Sequence, residues 1–348
     1  PGSLNVQQGT VTAAAANVFA QSLVVNIGSQ GLLDLTTDQA IASLTNNGLT
    51  ALRANLTTTG QFTNNGTLAL MNALVNNTPT ATTRTIHTSG FAGSASGLVD
   101  LDNNTLVIDQ WGNSTYAGTF TGAGSLTKQG AGSLNLTGAS TFTGGLTVAA
   151  GTIDTTGGGT LADNLAVQVD PNAHYIVGTS DTIGSINNAG YVTTNANLTL
   201  NTLTNSGMFN AYAGLTSTGL VDNTAAGTIN LHAGSTPTFA SLTNAGTILA
   251  DAPLTIIGAY QQNAGTLTAN ANLSSGSLSG TGGMITLSGP SVHYTINQTA
   301  NGTYSGAVSG GVVDKTGAAN LTLNGAVHSF APGSLNVQQG TVTAAAAN

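Results

Sequence analysis

The sequence predicts an all-β chain, a right-handed parallel β-helix (solenoid) of about 19 residues per coil. Three observations predict it: short alternating runs of strand-forming residues, Asn/Gly turns that recur at one spacing, and almost none of the chemistry that coats helices. Of 348 residues only 16 are charged, four Lys or Arg against twelve acids, and every acid is Asp. Glu and Lys are good helix formers, whereas Thr, Val and Ile favour strands, and Gly, Asn and Asp favour turns. A hydrophobic share of 40% supplies the core that disordered tracts lack. Solenoids grow along one axis, so the length does not force two domains, and residues 1–348 are expected to form one continuous β-helix segment.

The period comes from a short motif: an apolar residue, then Asn, then Gly one or two positions later, then another apolar residue. It stands as LTNNGL (44–49) and FTNNGTL (62–68), then as INNAGYV, LTNSGMF, VDNTAAGTI, LTNAGTI and YQQNAGTL, whose glycines are Gly190, Gly207, Gly227, Gly246 and Gly265. Those glycines step by 17, 20, 19 and 19 positions. One coil cannot bury its own apolar side chains, but coils stacked at the ~4.8 Å spacing of neighbouring strands place like residues above like and make an interior column. In this reading Gly supplies turns with φ > 0, and Asn tolerates that conformation and bonds to its neighbours along the stack.

Two segments depart from the pattern. The Ala-rich stretch 12–20 fits either a helical turn or a small-residue strand. In TTDQAIASL a Thr or Asp can cap helix-spaced apolar residues, so one short helix is expected over 37–45.

A longer repeat also runs through the chain. PGSLNVQQGTVTAAAAN occupies residues 1–17 and recurs without a change at 332–348, an offset of 331 positions. This favours a tandem array of such units, with 332–348 the start of the next. A first residue that is not Met, with no charged leader behind it, suits an excised or mature segment. No run approaches the ~20 apolar residues that span a bilayer, so this segment is not expected to cross a membrane.

Residues 114–153, STYAGTFTGAGSLTKQGAGSLNLTGASTFTGGLTVAAGTI, closely resemble the passenger-associated transport repeat of autotransporter passenger domains. The matching positions are Tyr116 and Gly118, the core GSLTKxGxGSLxL, and the close TFTGGLTVxxGTI. A divergent second copy covers 302–342 and pairs Tyr304 with Tyr116, Lys315 with Lys128, and Leu321 and Leu323 with Leu134 and Leu136. It runs into the repeated terminal segment. The coils 44–74 and 181–287 are similar, more loosely, to the repeats of filamentous haemagglutinin-type adhesins. The resemblance implies secretion through the outer membrane, an extracellular or cell-surface location, a three-sided β-helix, and a role in adhesion, aggregation or display.

Catalytic chemistry is thinly represented. β-Helical polysaccharide enzymes need clustered carboxylates, and the densest group here is Asp100, Asp102 and Asp109 in VDLDNNTLVID, where alternation can place Asp100 and Asp102 on one strand face. Asp100, Asp102 and Asn103 are also a weak calcium candidate, without the Gly at loop position 6 and the distal Glu of an EF-hand. The histidines at 87, 174, 232, 293 and 328 are far apart and lack zinc spacing. No catalytic residue and no cofactor is expected. Four scattered cations (Arg53, Arg84, Lys128, Lys315) and a net charge of −8 make nucleic acid an unsuitable partner. Lys128 and Lys315 are expected to pair with Asp or to cap a turn. Trp111, Tyr116 and Tyr304 are either carbohydrate platforms or rings stacked on one another. The expected function is a structural repeat unit of an extracellular filament whose partners are copies of itself, end to end. The alternative is an adhesin that binds glycans or cells, and the third reading is a β-helical polysaccharide lyase or hydrolase.

Overall fold

A computed structural model describes residues 2–75, 78–324 and 327–345. The chain is a parallel β-solenoid of about 18 turns with ~19 residues per turn. It comprises two compact units, Pro1–Ile183 and Gly184–Asn348.

In the first unit each turn contributes three short strands. Val24–Leu35 is long enough to make two sides: its first half pairs with Ser43–Asn46 and its second with Leu49–Leu52, while Gln39–Ile41 forms the third side against Leu56–Thr58. Leu44 then lies on Phe62, 18 positions on. On the third side Leu56 meets Ile86, 30 positions on, because an excursion intervenes in which Ala73–Val75 and Thr78–Thr80 pair antiparallel. Inward positions carry the core. Phe62, Phe91, Tyr116, Phe120 and Phe142 are fully buried and form a column with successive ring centroids 5.3, 5.0, 5.0 and 6.2 Å apart. Each fully buried large apolar side chain contributes about 1.5–3 kcal/mol.

The second unit has the more regular coils. Leu198–Asn205 bends where its register against Leu215–Asn223 shifts between Leu200 and Leu203, and after a turn Met208–Ala211 makes the third side. The bend resets the alternation, so the buried set in this turn is Leu198, Leu200, Leu203, Asn205, Phe209 and Ala211. The apolar residues stack on like residues in successive turns, for instance Phe209 on Ile229, Ile229 on Ile248, and Ile248 on Leu267.

The turn motif keeps the expected asparagine bonds along the stack, but not the expected backbone conformation. Among the described residues only Asn17, Asp102 and Asn172 of the non-glycines have positive φ, and of Gly207, Gly227, Gly246 and Gly265 only Gly265 does. What these glycines provide is close approach: an added Cβ would stand 2.2 Å from Gly190 O at Gly207, 2.3 Å from Asn205 O at Gly227, and 2.3 Å from Gly227 O at Gly246. The asparagines point inward. Asn188 Nδ2 donates to Asn205 Oδ1 at 2.7 Å, Asn205 to Asn223 at 2.8 Å, Asn223 to Asn244 at 2.8 Å, and Asn244 to Gln262 Oε1 at 3.0 Å. All five amides are fully buried, and the four asparagines also donate to the carbonyls of Met208, Thr228, Thr247 and Thr266. An amide with both a donor and an acceptor can be satisfied from both sides at once, which an isolated buried polar group cannot.

The helix expected over 37–45 is absent, and no helix occurs among the described residues. Residues there form the strands Gln39–Ile41 and Ser43–Asn46 with alternating burial. A solenoid corner at Ala42 inserts one extra position between two alternating runs, and Ile41 and Leu44 thereby acquire helix-like spacing. Ala13 ends the first strand, and the Ala-rich residues after it form bends and turns. No helix of the described residues is long and apolar enough to cross a membrane.

Candidate functional site

Two modules share one internal construction. Lys128 is fully buried, and its Nζ donates to Gln129 O at 2.6 Å and Gly130 O at 2.9 Å in its own turn, and to Ala150 O at 3.4 Å in the next coil. Lys315, also fully buried, donates to Gly317 O in its own turn and to Gln339 O at 2.9 Å in the next coil. Each lysine therefore caps a turn and ties it to the coil above; neither bonds to an Asp. Burial pushes the Lys128 ammonium down to about 8, against the opposing pull of Asp109, and lowers Lys315 as well.

The aromatic at the head of each module is interior. Tyr116 and Tyr304 are fully buried, which removes both as carbohydrate platforms. Tyr116 Oη accepts from Asn64 Nδ2 at 3.1 Å, and the single O–H of Tyr304 has two carbonyl acceptors within reach, Gly283 O and Ala307 O, each at 3.1 Å. A Cβ on Gly118 would come within 2.6 Å of the Tyr116 hydroxyl, and one on Gly306 within 2.3 Å of the Tyr304 hydroxyl. The aromatic-x-Gly spacing is thus a ring and the gap that receives it.

The acidic candidates lie on different elements. Asp100 ends the strand Leu98–Asp100, whereas Asp102 lies beyond it in a turn with φ 49°. Asp100 Oδ1 accepts from the Asp102 amide at 3.0 Å, and Asp102 Oδ2 accepts from Asn72 Nδ2 at 2.7 Å. The Asp100 carboxylate serves the local turn, that of Asp102 reaches a residue 30 positions earlier, and Asn103 is exposed beside them. Asp109 belongs to a different sheet, on Thr105–Gln110, where its Oδ2 lies 2.7 Å from His87 Nδ1. Among the described residues no three His, Cys, Asp or Glu side chains come together as a metal-ligand group. His293 lies 2.8 Å from Asp314, and His232 stacks on Tyr212 with centroids 4.0 Å apart. Trp111 is 46% exposed, with its ring 4.7 Å from His87.

The repeated segment adopts a strand in both places. Residues 1 and 346–348 lie outside the described residues. The first copy, Ser3–Ala13, pairs with the coil that follows it: Leu4 lies on Val25, Val6 on Ile27, Val11 on Leu33, and Ala13 on Leu35. The second copy, Ser334–Val337 and Val342–Ala345, pairs with the coil that precedes it: Leu335 on Val313, Val337 on Lys315, Val342 on Leu321, and Ala344 on Leu323. The valine that is 5% exposed as Val6 is 48% exposed as Val337.

The family model of the passenger-associated transport repeat matches residues 126–154 and 313–344. Each match contains a buried lysine and the coil that lysine clamps, and the second runs into the repeated segment. Neither the curated proteins nor the solved structures gave a match. The chain carries two passenger-associated transport repeats on a parallel β-solenoid, consistent with an autotransporter passenger β-helix.

Proposed function

We propose that the chain is a structural repeat unit of an extracellular bacterial filament or fibre shaft, in which solenoids continue end to end. The observation that carries this reading is the pairing of the 17-residue segment on opposite sides in its two copies. Merging the copies into one coil gives it a partner on both sides, with inward columns Val313–Leu–Val25, Lys315–Val–Ile27, Leu321–Val–Leu33 and Leu323–Ala–Leu35. All eight flanking residues are buried. A next unit can therefore follow in register, and continuation covers strand edges that otherwise template uncontrolled association.

The passenger-type repeats support a surface or secreted location. The sparse carboxylates, with Asp100, Asp102 and Asp109 on different elements, support a structural role over polysaccharide cleavage. A passenger that binds glycans or cells is the second reading, favoured by the exposed ring of Trp111.

The test is the mass of the native material under full denaturation, beside electron micrographs taken before it. A mass many times 34.2 kDa from filaments is expected. A unit-sized band from filaments replaces covalent continuation with stacking of separate chains, and unit-sized material without filaments overturns the fibre.

A further inference from the structure

We infer that Trp111, His87 and Asp109 form a binding site for a neutral saccharide on the outer face of the first unit. The inference is independent of whether units join into a fibre.

The three side chains come from two adjacent coils. His87 lies on Asp109 in register, and Asp109 lies on Gln129 of the following coil. These positions alternate with the buried Thr88, Ile108, Gln110 and Lys128, so all three face outward. Trp111, two positions after Asp109, faces the same way and rests on His87. The next coil offers Trp111 only a methyl group. Gly132 lies directly over Gly112, which aligns Ala131 with Trp111, and Ala131 is exposed. One side of the indole is thus occupied by imidazole, and the other adjoins an open step.

Polar groups border that step. Asp109 Oδ2 is held by His87 Nδ1 at 2.7 Å, which fixes the carboxylate and leaves Oδ1 to accept from another donor. Oδ1 lies beside Gly130, where a side chain would crowd it, since a Cβ there would stand 2.7 Å from it. Gln129 is exposed beside it and brings both a donor and an acceptor.

A flat ring beside a fixed acceptor and an adaptable amide matches the two kinds of surface on a pyranose: axial C–H groups that lie on an aromatic face, and equatorial hydroxyls that need directed partners. An apolar ligand would need enclosing apolar walls, whereas Trp111, Gln129 and Ala131 around this step are all exposed. The net charge of −8, with four cations in the whole chain, opposes acidic polysaccharides.

The sole tryptophan of the chain is Trp111, so its emission reads the site without background. The intact protein is titrated with maltotriose, cellotriose and tri-N-acetylchitotriose, with trigalacturonate as the acidic comparison. At least one neutral trimer is expected to change the emission saturably, and trigalacturonate to bind at least about tenfold more weakly. Asp109→Asn is expected to weaken that binding about tenfold, the scale of one hydrogen bond to a charged group, and Gln129→Ala by a smaller factor. Trp111→Ala, followed by calorimetry, is expected to abolish it. No saturable change with any neutral trimer, tighter binding of trigalacturonate, or affinity unaltered in Asp109→Asn and Gln129→Ala overturns the site. Those two surface variants keep the test decisive if Trp111→Ala disturbs the fold.

Discussion

Asn5 and Asn336 are the same position of the repeated segment, and they use opposite ends of the same amide. Asn5 Oδ1 accepts from Asn26 Nδ2 at 2.9 Å, whereas Asn336 Nδ2 donates to Asp314 Oδ1 at 2.9 Å. One asparagine can make both bonds together. In a continued solenoid this gives an unbroken outer ladder from Asp314 through the shared asparagine to Asn26. Asn336→Ala is expected to cost about 1 kcal/mol in the last coil, and Asn26→Ala a similar amount in the first. Amide exchange in the strands Ser334–Val337 and Ser3–Ala13 measures this. Unchanged exchange in both variants removes the ladder as a stabilising element.

The interior ladder carries higher stakes. Asn223 donates to Asn244 Oδ1 and Thr247 O, and accepts from Asn205. Asn223→Ala leaves Asn244 Oδ1 without its donor in a fully buried column, while Asn205 Nδ2 keeps Gly207 O and Thr228 O, and is expected to destabilise the second unit by about 2–3 kcal/mol. Urea unfolding followed by the exchange of amides in Thr228–Leu231 reads the loss.

Glycine substitutions separate close approach from backbone freedom. A Cβ at Gly246 meets Gly227 O at 2.3 Å, while at Gly282 the nearest atom is Asn263 O at 3.2 Å. Neither residue has positive φ. Gly246→Ala is expected to force adjacent coils apart at a cost of about 3 kcal/mol, and Gly282→Ala to change stability by less than about 1 kcal/mol. Equal thermal midpoints for the two variants contradict close approach as the role of the turn glycines.

Lys128 makes stability depend on pH in a set direction. Burial lowers its pKa from 10.5 to about 8, so between those values the unfolded chain holds more protons than the folded one, and stability rises with pH through that window. Buried tyrosines, whose ionisation burial disfavours, oppose the gain at the alkaline end. Lys128→Met cancels their contribution from the comparison. The parent protein is expected to gain on the order of 2 kcal/mol relative to Lys128→Met between pH 8 and pH 10.5. Parallel stability curves for the two proteins overturn this.

The hydroxyl of Tyr175 is fully buried without a hydrogen-bond partner, whereas that of Tyr294 lies 2.9 Å from Ser275 Oγ. Tyr175→Phe is expected to raise the thermal midpoint by the equivalent of about 1 kcal/mol, and Tyr294→Phe to lower it by a similar amount. A loss in both variants means that Tyr175 has a partner after all.

The solenoid, its period, the two lysine-bearing modules and the repeated segment were legible in the sequence alone. Each is a periodic or identical pattern, and stacked coils print their spacing directly into the residue order, as Gly190 to Gly265 do. The division of labour inside a coil was decided only by the tertiary structure. That Asn205 makes its expected bonds along the stack from the interior and without positive φ, and that Gly227 supplies room and not φ, depends on neighbouring coils about 19 residues away. The false helix over 37–45 has the same origin: a corner between two strands mimics helical spacing unless the third side of the coil is known. For Lys128 the sequence offered an Asp partner or a turn to cap, and only the assembled stack shows that it caps a turn from within the core, held by carbonyls. His87, Asp109 and Trp111 carry no motif that joins them, because residues 22 positions apart become neighbours only when strands Thr83–Thr88 and Thr105–Gln110 pair in register.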